Sequence, residues 1–325
     1  MLLLTEADVV ELFPMPLAIE RVEASLLAQH KGEATNRPRQ RIFLPQSSLH
    51  YMAAALPQEN LVGMKIYTVA HGVLRFVVLL FDAASGELLA LLEADQLGRI
   101  RTGAASAVAT KYMARAGRSR AGVIGVIGTG RQARTQLEAV AAATPVAGAR
   151  VFGRDEARRL EFAREMSQRL GFPVDPAGDA EAAVAEADVV ITATTSSQPV
   201  LRGDWLAPGT HINAIGANMA ARRELDDAAI ARAAVIAVDS LEQAREESGD
   251  LILGLSSRPN GWDDVHELHE IVGGSCRGRN SEDEITLFKS NGLALWDVAA
   301  AGAIYPRALE AGRGRKIELG EAMSR

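Results

Sequence analysis

Short apolar runs alternate with amphipathic stretches from about residue 121 to residue 250. The apolar runs predict strands, and the stretches between them carry helix-forming residues at helical spacing. The predicted strands are 123–127, 149–152, 187–192, 210–215 and 234–238. The predicted helices are 132–143, 155–170, 179–186, 225–233 and 241–247. This alternation indicates an α/β domain with a parallel sheet and crossover helices.

The first 120 residues have a different pattern. A polar, Arg-rich stretch at 37–41 is followed by strand-like runs at 48–54, 63–69, 74–82 and 88–92, and Ser85-Gly86 predicts a hairpin turn before the last of them. These runs favour a separate α+β domain rich in antiparallel pairs. A helix is predicted over 102–116. The apolar segment 285–309 is also helix-like, and its Ala-rich part would allow close packing on the first domain.

A glycine-rich turn joins the first strand of the α/β region to a helix. Gly128-Thr129-Gly130-Arg131-Gln132-Ala133 follows the apolar run 123–127 directly. A turn of this kind presents free backbone N–H groups and the positive end of a helix to a pyrophosphate. The sequence therefore predicts a dinucleotide site, with a tight turn in a cofactor-free domain as the alternative.

Residues after the second predicted strand bear on the choice between NAD and NADP. Arg154 lies 26 residues after Gly128, at the distance where such folds meet the adenosine ribose, and Asp155 follows it. An acidic residue here bonds the ribose 2′-hydroxyl, whereas an arginine accommodates a 2′-phosphate. Because Arg154 comes first and Arg131 lies beside the turn, we expect NADP, with NAD as the alternative.

Composition and charge narrow the class of partner. The 325 residues predict two domains, and the net charge of −6 argues against a general nucleic-acid binder. The start of the chain lacks the basic region of a signal peptide, and no apolar run approaches the about 18 residues of a membrane span. We therefore expect a cytoplasmic protein with a small-molecule partner and no membrane or nucleic-acid partner.

The cysteine and histidine residues predict no metal site. Cys276 is the single cysteine, and no Cys/His cluster has zinc spacing. His266 and His269 have a spacing that would let them share a helix face, but the sequence offers no third ligand. His50, His71 and His211 show no triad or metal spacing either.

Several motifs, unrelated to one another, occur in order over nearly the whole sequence. The motifs are Lys65-Ile66, Arg101-Thr102-Gly103-Ala104-Ala105-Ser106, Gly128-Thr129-Gly130-Arg131-Gln132-Ala133, Thr192-Ala193-Thr194-Thr195-Ser196, Gly216-Ala217-Asn218, Arg223-Glu224-Leu225-Asp226, Glu247-Ser248-Gly249-Asp250 and Thr286-Leu287-Phe288-Lys289-Ser290. Together they resemble the ornithine cyclodeaminase/μ-crystallin family.

The resemblance implies a homodimer with two kinds of domain. Residues 1–115 with 291–325 would form an α+β substrate-binding and dimerisation domain, and 116–290 a Rossmann-type doubly wound parallel sheet. Family members act on amino acids or their cyclic imines through a nicotinamide cofactor. The favoured activity is NAD(P)H-dependent reduction of a small cyclic imino acid such as pyrroline-2-carboxylate. The alternatives are ornithine cyclodeamination, alanine dehydrogenation and a crystallin-like NADP-binding protein without turnover.

Three basic residues are candidates for binding a substrate carboxylate. Arg101 precedes the predicted helix 102–116, where a cation is unfavourable unless an anion compensates it, and a guanidinium can bind a carboxylate through two hydrogen bonds. The alternative is an exposed arginine or a structural ion pair. Lys65 is one of only five lysines beside thirty arginines. The sequence alone is equally consistent with a lysine that protects an exposed strand edge, whereas the resemblance implies that Lys65 contacts the substrate and can transfer a proton. It also implies a role for Arg41, 24 residues before Lys65, with Arg37 and Arg39 as competitors.

Asn218 is a departure from the cyclodeaminases, which carry a proton-transferring aspartate at the matching position. An amide cannot take that role. The change favours imine reduction or oxidation of a simple amino acid, unless Asn218 only shapes its loop. The predicted cofactor-binding residues lie in the Arg101–Ser106 motif, in the glycine-rich turn, after the second predicted strand and in the Thr192–Ser196 motif, and the resemblance implies that the residues of the last motif line the nicotinamide. The predicted cofactor-binding residues are Thr102, Gly128, Thr129, Gly130, Arg131, Gln132, Arg154, Thr192, Thr194 and Ser196.

Overall fold

The computed structural model describes residues 1–115 and 122–318. Its strands are β1 (Leu2–Leu4), β2 (Thr35–Asn36), β3 (Gln40–Leu44), β4 (Ser47–Leu56), β5 (Leu61–Ala70), β6 (Val73–Asp82), β7 (Leu88–Glu93), β8 (Gly122–Ile127), β9 (Val146–Phe152), β10 (Val174–Pro176), β11 (Val189–Thr192), β12 (His211–Ala214), β13 (Ala233–Val238), β14 (Val265–Glu267), β15 (Ile285–Lys289) and β16 (Arg315–Lys316). Its helices are α1 (Glu6–Leu12), α2 (Met15–His30), α3 (Asp95–Met113), α4 (Arg131–Ala143), α5 (Glu156–Leu170), α6 (Ala180–Val184), α7 (Asp227–Arg232), α8 (Leu241–Glu247), α9 (Gly249–Gly254), α10 (Leu268–Val272) and α11 (Ala294–Glu310). Short 3-10 turns occur at Pro57–Glu59, Gly203–Trp205, Leu255–Ser257 and Gly261–Asp264.

The chain divides into two compact units. One comprises Met1–Arg101 with Leu293–Arg325, and the other comprises Thr102–Gly292. The sequence placed the first boundary between 115 and 116, next to residues that lie outside the described ranges, and the second between 290 and 291. The observed first boundary falls within α3, because that helix begins earlier than the sequence pattern predicted.

The first unit is built on a mainly antiparallel sheet. Its strand order is β16-β1-β7-β6-β5-β4-β2, with β3 also paired to β4. Helix α11 packs on β4, β5 and β6 and on α2. The approach of α11 to the sheet is close, since a Cβ added at Gly63 would lie 2.9 Å from Val298 Cγ2. The α+β character predicted for this part of the chain is therefore present.

Helix α3 begins at Asp95, so the prediction of a helix start at residue 102 was wrong. The Glu6 carboxylate accepts hydrogen bonds from the backbone N–H groups of Asp95 and Gln96, at 2.7 and 2.8 Å. These contacts satisfy N–H groups that the first turn of a helix leaves without partners. The capping group comes from a residue 89 positions earlier, so local sequence around 102 did not reveal the true start. Arg101 lies inside the helix, and the helix-start argument for an anion there no longer applies.

The second unit has the predicted doubly wound parallel sheet. Its strand order is β10-β9-β8-β11-β12-β15-β13-β14, and all of its pairings are parallel. Alternate residues of β11 face different cores: Val189 and Ile191 belong to one apolar cluster, and Val190 belongs to the other. Both faces of the sheet are thus covered, as in Rossmann-type folds. The predicted fold class is confirmed.

The apolar segment 285–309 is a strand followed by a helix, so the prediction of one helix was wrong. Strand β15 ends at Lys289 and α11 begins at Ala294. Gly292 has φ +88°, a left-handed conformation that ends regular structure and suits glycine. The Asp239 carboxylate also accepts a hydrogen bond from the Asn291 N–H, at 2.7 Å, which holds the connection. Apolar periodicity alone does not separate a buried strand from a helix.

Candidate active site

In the first unit, three buried charged side chains meet. Asp297 Oδ1, on α11, accepts hydrogen bonds from Lys65 Nζ at 2.8 Å and from Arg101 Nε at 3.0 Å. Lys65 comes from β5 and Arg101 from α3. Their side chains are 5% and 6% exposed, and that of Asp297 is fully buried. We call these three residues the basic cluster.

The basic cluster holds more positive than negative charge. Two cations share one carboxylate, and Arg101 Nη1 is buried with no hydrogen-bond partner among the described residues. A buried guanidinium N–H without an acceptor is costly, and an anion would satisfy it. Burial lowers the pKa of Lys65 to about 8; Asp297 opposes this shift and Arg101 adds to it. The cluster therefore has the charge and the unused donor that a carboxylate ligand requires.

Of the two predicted arginines, Arg39 lies near the basic cluster, whereas Arg41 lies beside His50. Arg39 is 5% exposed, and its positive charge contributes to the lowered pKa of Lys65. Arg41, on β3, pairs with His50 on β4 and is half-buried. Burial and the charges of both arginines lower the pKa of His50 to about 4. Arg39 is thus the competing candidate for the second carboxylate contact whose charge acts on Lys65. The role of Arg41 stays a prediction from the resemblance.

Aromatic rings cover the two cations of the basic cluster. Lys65 Nζ lies 5.4 Å from the centroid of the Phe76 ring, and Arg101 Cζ lies 5.8 Å from the Trp296 ring. These distances allow cation–π attraction. A Cβ added at Gly98 would lie 3.0 Å from Lys65 Nζ, so this glycine of α3 lets the helix approach the ammonium closely. The cations are held in place by packing as well as by Asp297.

In the second unit, the glycine-rich turn fits the phosphates of a dinucleotide. Gly128 has φ +122°, and a Cβ there would lie 2.4 Å from Ala193 O. A Cβ at Gly130 would meet no atom within 4 Å, which leaves open space beside the turn. Gly130 is the N-cap of α4 and gives it no side-chain cap, so the first N–H groups of this 13-residue helix are available to an anion. Arg131 begins the helix and is exposed.

Arg134 stabilises this turn, a role that its place in the sequence did not indicate. Arg134 Nη1 donates to the carbonyl oxygens of Thr129 and Gly130, at 3.1 and 3.3 Å. The Glu165 carboxylate accepts from Arg134 Nε at 2.8 Å and holds the guanidinium. Gln132, next to the turn, has a buried side-chain oxygen without a hydrogen-bond partner in the part of the chain that the structure describes. Its position beside Arg131 on α4 keeps it among the predicted cofactor residues.

The end of β9 lies beside the turn, as a ribose-binding position requires. Gly128 N–H donates to Phe152 O at 2.8 Å, and a Cβ added at Gly153 would lie 2.7 Å from Thr129 Cγ2. The Asp155 carboxylate caps α5 by accepting from Arg158 N–H at 3.0 Å, whereas Arg154 is exposed. The acidic residue therefore has a local structural partner, and the arginine extends into solvent.

The predicted nicotinamide-side residues are organised by Glu224, for which the sequence predicted no role. The buried Glu224 carboxylate accepts from the hydroxyls of Thr192 and Thr194, at 2.9 and 2.7 Å, and from the Gly216 N–H at 2.7 Å. Burial is the main cause that raises the pKa of Glu224. Thr192 is fully buried, and Ser196 donates to Gln198 O. Thr192 therefore supports the loop from inside.

A second layer of buried charge supports Glu224. Asp250 accepts from the backbone N–H groups of Glu224 and Leu225, at 2.6 and 2.9 Å. Lys289 Nζ lies 3.7 Å from Asp250 Oδ2 and donates to the carbonyl oxygens of Ala214 and Ala217. Glu224, Asp250 and Lys289 belong to motifs that carried the family resemblance. Their shared effect is to fix the loops that follow β11 and β12.

Asn218 lies in the loop after β12 and is exposed. Strands β8, β11 and β12 are neighbours in the sheet and parallel, so their carboxyl ends share one edge. The structure thus brings Asn218, Thr194 and the glycine-rich turn to the same edge of this unit, where doubly wound folds bind their ligands. Thr102 is 7% exposed within α3, and its role in binding the cofactor stays a prediction.

None of the helices within residues 1–115 or 122–318 combines the length and the apolar character needed to cross a bilayer.

The sequence matches one protein family over nearly its whole length. The model of the ornithine cyclodeaminase/mu-crystallin family matches residues 1–312. The chain is 38% identical over 308 residues to a Δ1-pyrroline-2-carboxylate reductase of Bacillus cereus, covering 91% of this chain and 93% of that protein. Both matches confirm the resemblance seen in the sequence motifs.

Two solved structures are similar to this chain over nearly its whole length. The structure of Thermococcus litoralis Δ1-pyrroline-2-carboxylate reductase in complex with NADH and L-proline superposes with a TM-score of 0.92 at 36% identity, covering 98% of this chain and 100% of that one. An archaeal alanine dehydrogenase dimer with bound NAD has a TM-score of 0.91 at 33% identity, with 98% of this chain and 99% of that chain covered. The fold of each relative therefore extends over nearly the whole sequence.

Proposed function

Because the chain belongs to the ornithine cyclodeaminase/μ-crystallin family, we propose that it reduces a small cyclic imino acid to the L-amino acid with NAD(P)H. Δ1-Pyrroline-2-carboxylate, which gives L-proline, is the favoured substrate. The observation that carries the proposal is the basic cluster, whose net positive charge and unused Arg101 donor match a carboxylate. The reductases among the relatives support the choice of substrate.

The basic residues would bind and orient the substrate. Arg101 donates to the carboxylate from Nη1, and Lys65 contributes its compact positive charge. Arg41 is the third predicted contact, with Arg39 as its competitor because Arg39 is buried beside Lys65. Lys65, with a pKa near 8, can also hold or release a proton close to neutral pH. Orientation by these groups accounts for most of their catalytic effect.

The cofactor would be held at the glycine-rich turn and would supply the hydride when bound. Gly128, Thr129 and Gly130 fit its pyrophosphate, and the loop ordered by Glu224 would line the nicotinamide. Arg154 favours NADP because it is exposed at the end of β9 while Asp155 caps a helix. Relatives that bind NADH or NAD make NAD the alternative.

Asn218 supports reduction over cyclodeamination. It stands where the cyclodeaminases carry an aspartate, and its amide offers no carboxylate to bind the distal ammonium of ornithine. Asn218 follows β12 and Thr194 follows β11, so both residues lie at the edge of the sheet where a fold of this kind binds its ligands.

A homodimer in the cytoplasm is the proposed state. One relative is described as a dimer. Large apolar side chains are exposed on strands of the first unit, at Ile42, Phe43, Leu44, Val73 and Leu74. Exposed apolar groups of this size are typical of protein interfaces. Sedimentation of the purified chain tests whether it is a dimer.

The proposed function is tested by following NADPH and NADH absorbance with several substrates. We expect oxidation of the cofactor with Δ1-pyrroline-2-carboxylate or piperideine-2-carboxylate, and little ammonia from ornithine with catalytic NAD. NAD reduction with alanine as the main activity would identify an alanine dehydrogenase. Efficient conversion of ornithine to proline and ammonia would identify a cyclodeaminase. Cofactor binding without turnover of any of these compounds would favour a crystallin-like binding protein.

A further inference from the structure

Three side chains that can ligate a metal meet in the second unit, away from the glycine-rich turn. One ligand atom from each of His266, Glu270 and Cys276 lies within 4.8 Å of the other two, and all three residues are half-buried. His266 is on β14, Glu270 is on α10, and Cys276 follows that helix. The sequence did not show this group because its spacing matches no common zinc motif.

The backbone around the group holds Cys276 in place. Ser275 N–H and Cys276 N–H both donate to Glu270 O, at 2.9 and 3.2 Å, which folds the cysteine back onto α10. Cys276 Sγ lies 3.4 Å from His266 Nδ1. One oxygen of Glu270 accepts from Glu267 N–H at 2.7 Å, and this contact fixes the orientation of the carboxylate. The ligand atoms thus meet through defined contacts.

We propose that His266, Glu270 and Cys276 form a binding site for a divalent transition metal of the zinc class. Imidazole nitrogen, thiolate sulfur and carboxylate oxygen are all ligands that Zn²⁺ accepts, and three protein ligands leave a position for water. A thiolate and a carboxylate together balance the two positive charges of the ion. Thiolate and imidazole ligands select against Mg²⁺ and Ca²⁺, which prefer oxygen.

The metal would join three consecutive parts of the second unit. Strand β14 is the last strand of its sheet and pairs only with β13 among the described strands. A metal bound to His266, Glu270 and Cys276 would connect this edge strand to α10 and to the segment after it. Because a ligand that binds the folded state stabilises it, zinc should raise the melting temperature of the chain.

Cobalt spectroscopy tests the site without ambiguity, because Cys276 is the only cysteine. The full-length protein, free of any histidine tag and of bound metal, is titrated with Co²⁺. We expect a thiolate-to-cobalt charge-transfer band that saturates at one equivalent per chain and that Zn²⁺ abolishes. Zinc should also slow the reaction of Cys276 with a thiol reagent. Binding of cobalt without the thiolate band, or thiol reactivity unchanged by zinc, overturns the proposal.

Variants separate a built site from surface binding. Changes in outer-shell partners alone alter affinity 10- to 100-fold, so loss of a direct ligand in Cys276→Ser, His266→Asn or Glu270→Gln should weaken zinc binding at least about 100-fold. The control is His269→Asn, because the His269 imidazole pairs with Glu267 Oε2 at 2.9 Å and is not one of the three ligands. Equal zinc affinity in wild type and the ligand variants, measured by calorimetry, would show that the site does not exist.

Discussion

Lys65 Nζ and Asp297 Oδ1 form an ion pair of 2.8 Å although 232 residues separate them in the chain. Both side chains are buried, so the pair is shielded from solvent. Asp297 Oδ1 also accepts a hydrogen bond from Arg101, and one carboxylate oxygen therefore contacts both cations. The arrangement holds the cations in position while leaving a positive excess for a ligand.

Loss of the Asp297 charge should destabilise the protein. In Asp297→Asn, two buried cations lose the carboxylate that they share, and removing one partner of a buried ion pair costs about 3 kcal/mol or more. Urea denaturation measures this loss. Asp204→Asn is the control, because Asp204 pairs with Arg202 on the surface, where solvent screens the attraction and the pair contributes little to stability. Similar losses of unfolding free energy in both variants would contradict a stabilising role of the buried Asp297 carboxylate.

The pH dependence of catalysis should report Lys65. Burial is the main cause that lowers its pKa to about 8, so the ammonium is present below this pH and is lost above it. The value of kcat/KM for the imino acid should therefore fall as the pH rises through about 8. Lys65→Arg keeps the positive charge at high pH and should remove this decline. Ionisation of the substrate itself would instead lower kcat/KM in the wild type and in the variant alike. The same alkaline decline in both would exclude Lys65 as its origin.

Arg101 should be essential for binding the substrate carboxylate. Arg101→Lys keeps the charge but loses paired hydrogen bonds, and kcat/KM should fall by the equivalent of about 2 kcal/mol or more. The dissociation constant of the cofactor should change little. Arg99→Lys is the matched control on the same helix, because Arg99 pairs with Asp95. A near-normal kcat/KM in Arg101→Lys would move the carboxylate site elsewhere.

Arg154 should determine the preference for NADPH. It lies exposed after β9, where a 2′-phosphate would be bound in a fold of this kind. Arg154→Ala should raise the KM for NADPH far more than the KM for NADH. Arg158→Ala, an exposed arginine on α5, should leave the ratio unchanged. Equal effects on the two cofactors, or a strong preference of the wild type for NADH, would contradict the assignment.

Local sequence patterns correctly predicted elements that are formed by consecutive residues. The glycine-rich turn, its preceding strand and its following helix occupy consecutive residues, and the structure contains them as β8 and α4. The predicted alternation of strands and helices also gave the fold class. Helix starts were less accurate where an aspartate cap was counted as the first helical residue, as with Asp155 and Asp179.

Contacts between distant residues could not be predicted from these patterns. Asp297 lies 196 residues from Arg101, and nothing near either residue indicates the other. Glu6 caps α3 from 89 positions away, and Glu224 organises Thr194 from 30 positions away. Motif matches marked Glu224 without indicating what it does. The carboxylates that hold the site together therefore became visible only in the folded chain.

Isotope transfer tests the central claim most directly. Purified protein is incubated with Δ1-pyrroline-2-carboxylate and NADPH or NADH that carries deuterium at the transferable nicotinamide position. Hydride delivery to the imine carbon predicts L-proline with a single deuterium at the α-carbon, in an amount equal to the cofactor oxidised. When ornithine and catalytic NAD are supplied instead, a cyclodeaminase returns the hydride it took from the substrate, so proline and ammonia form with no net oxidation of the cofactor. Unlabelled proline formed from ornithine with release of ammonia, and no deuterated proline from the imino acid, would contradict the proposed reductase.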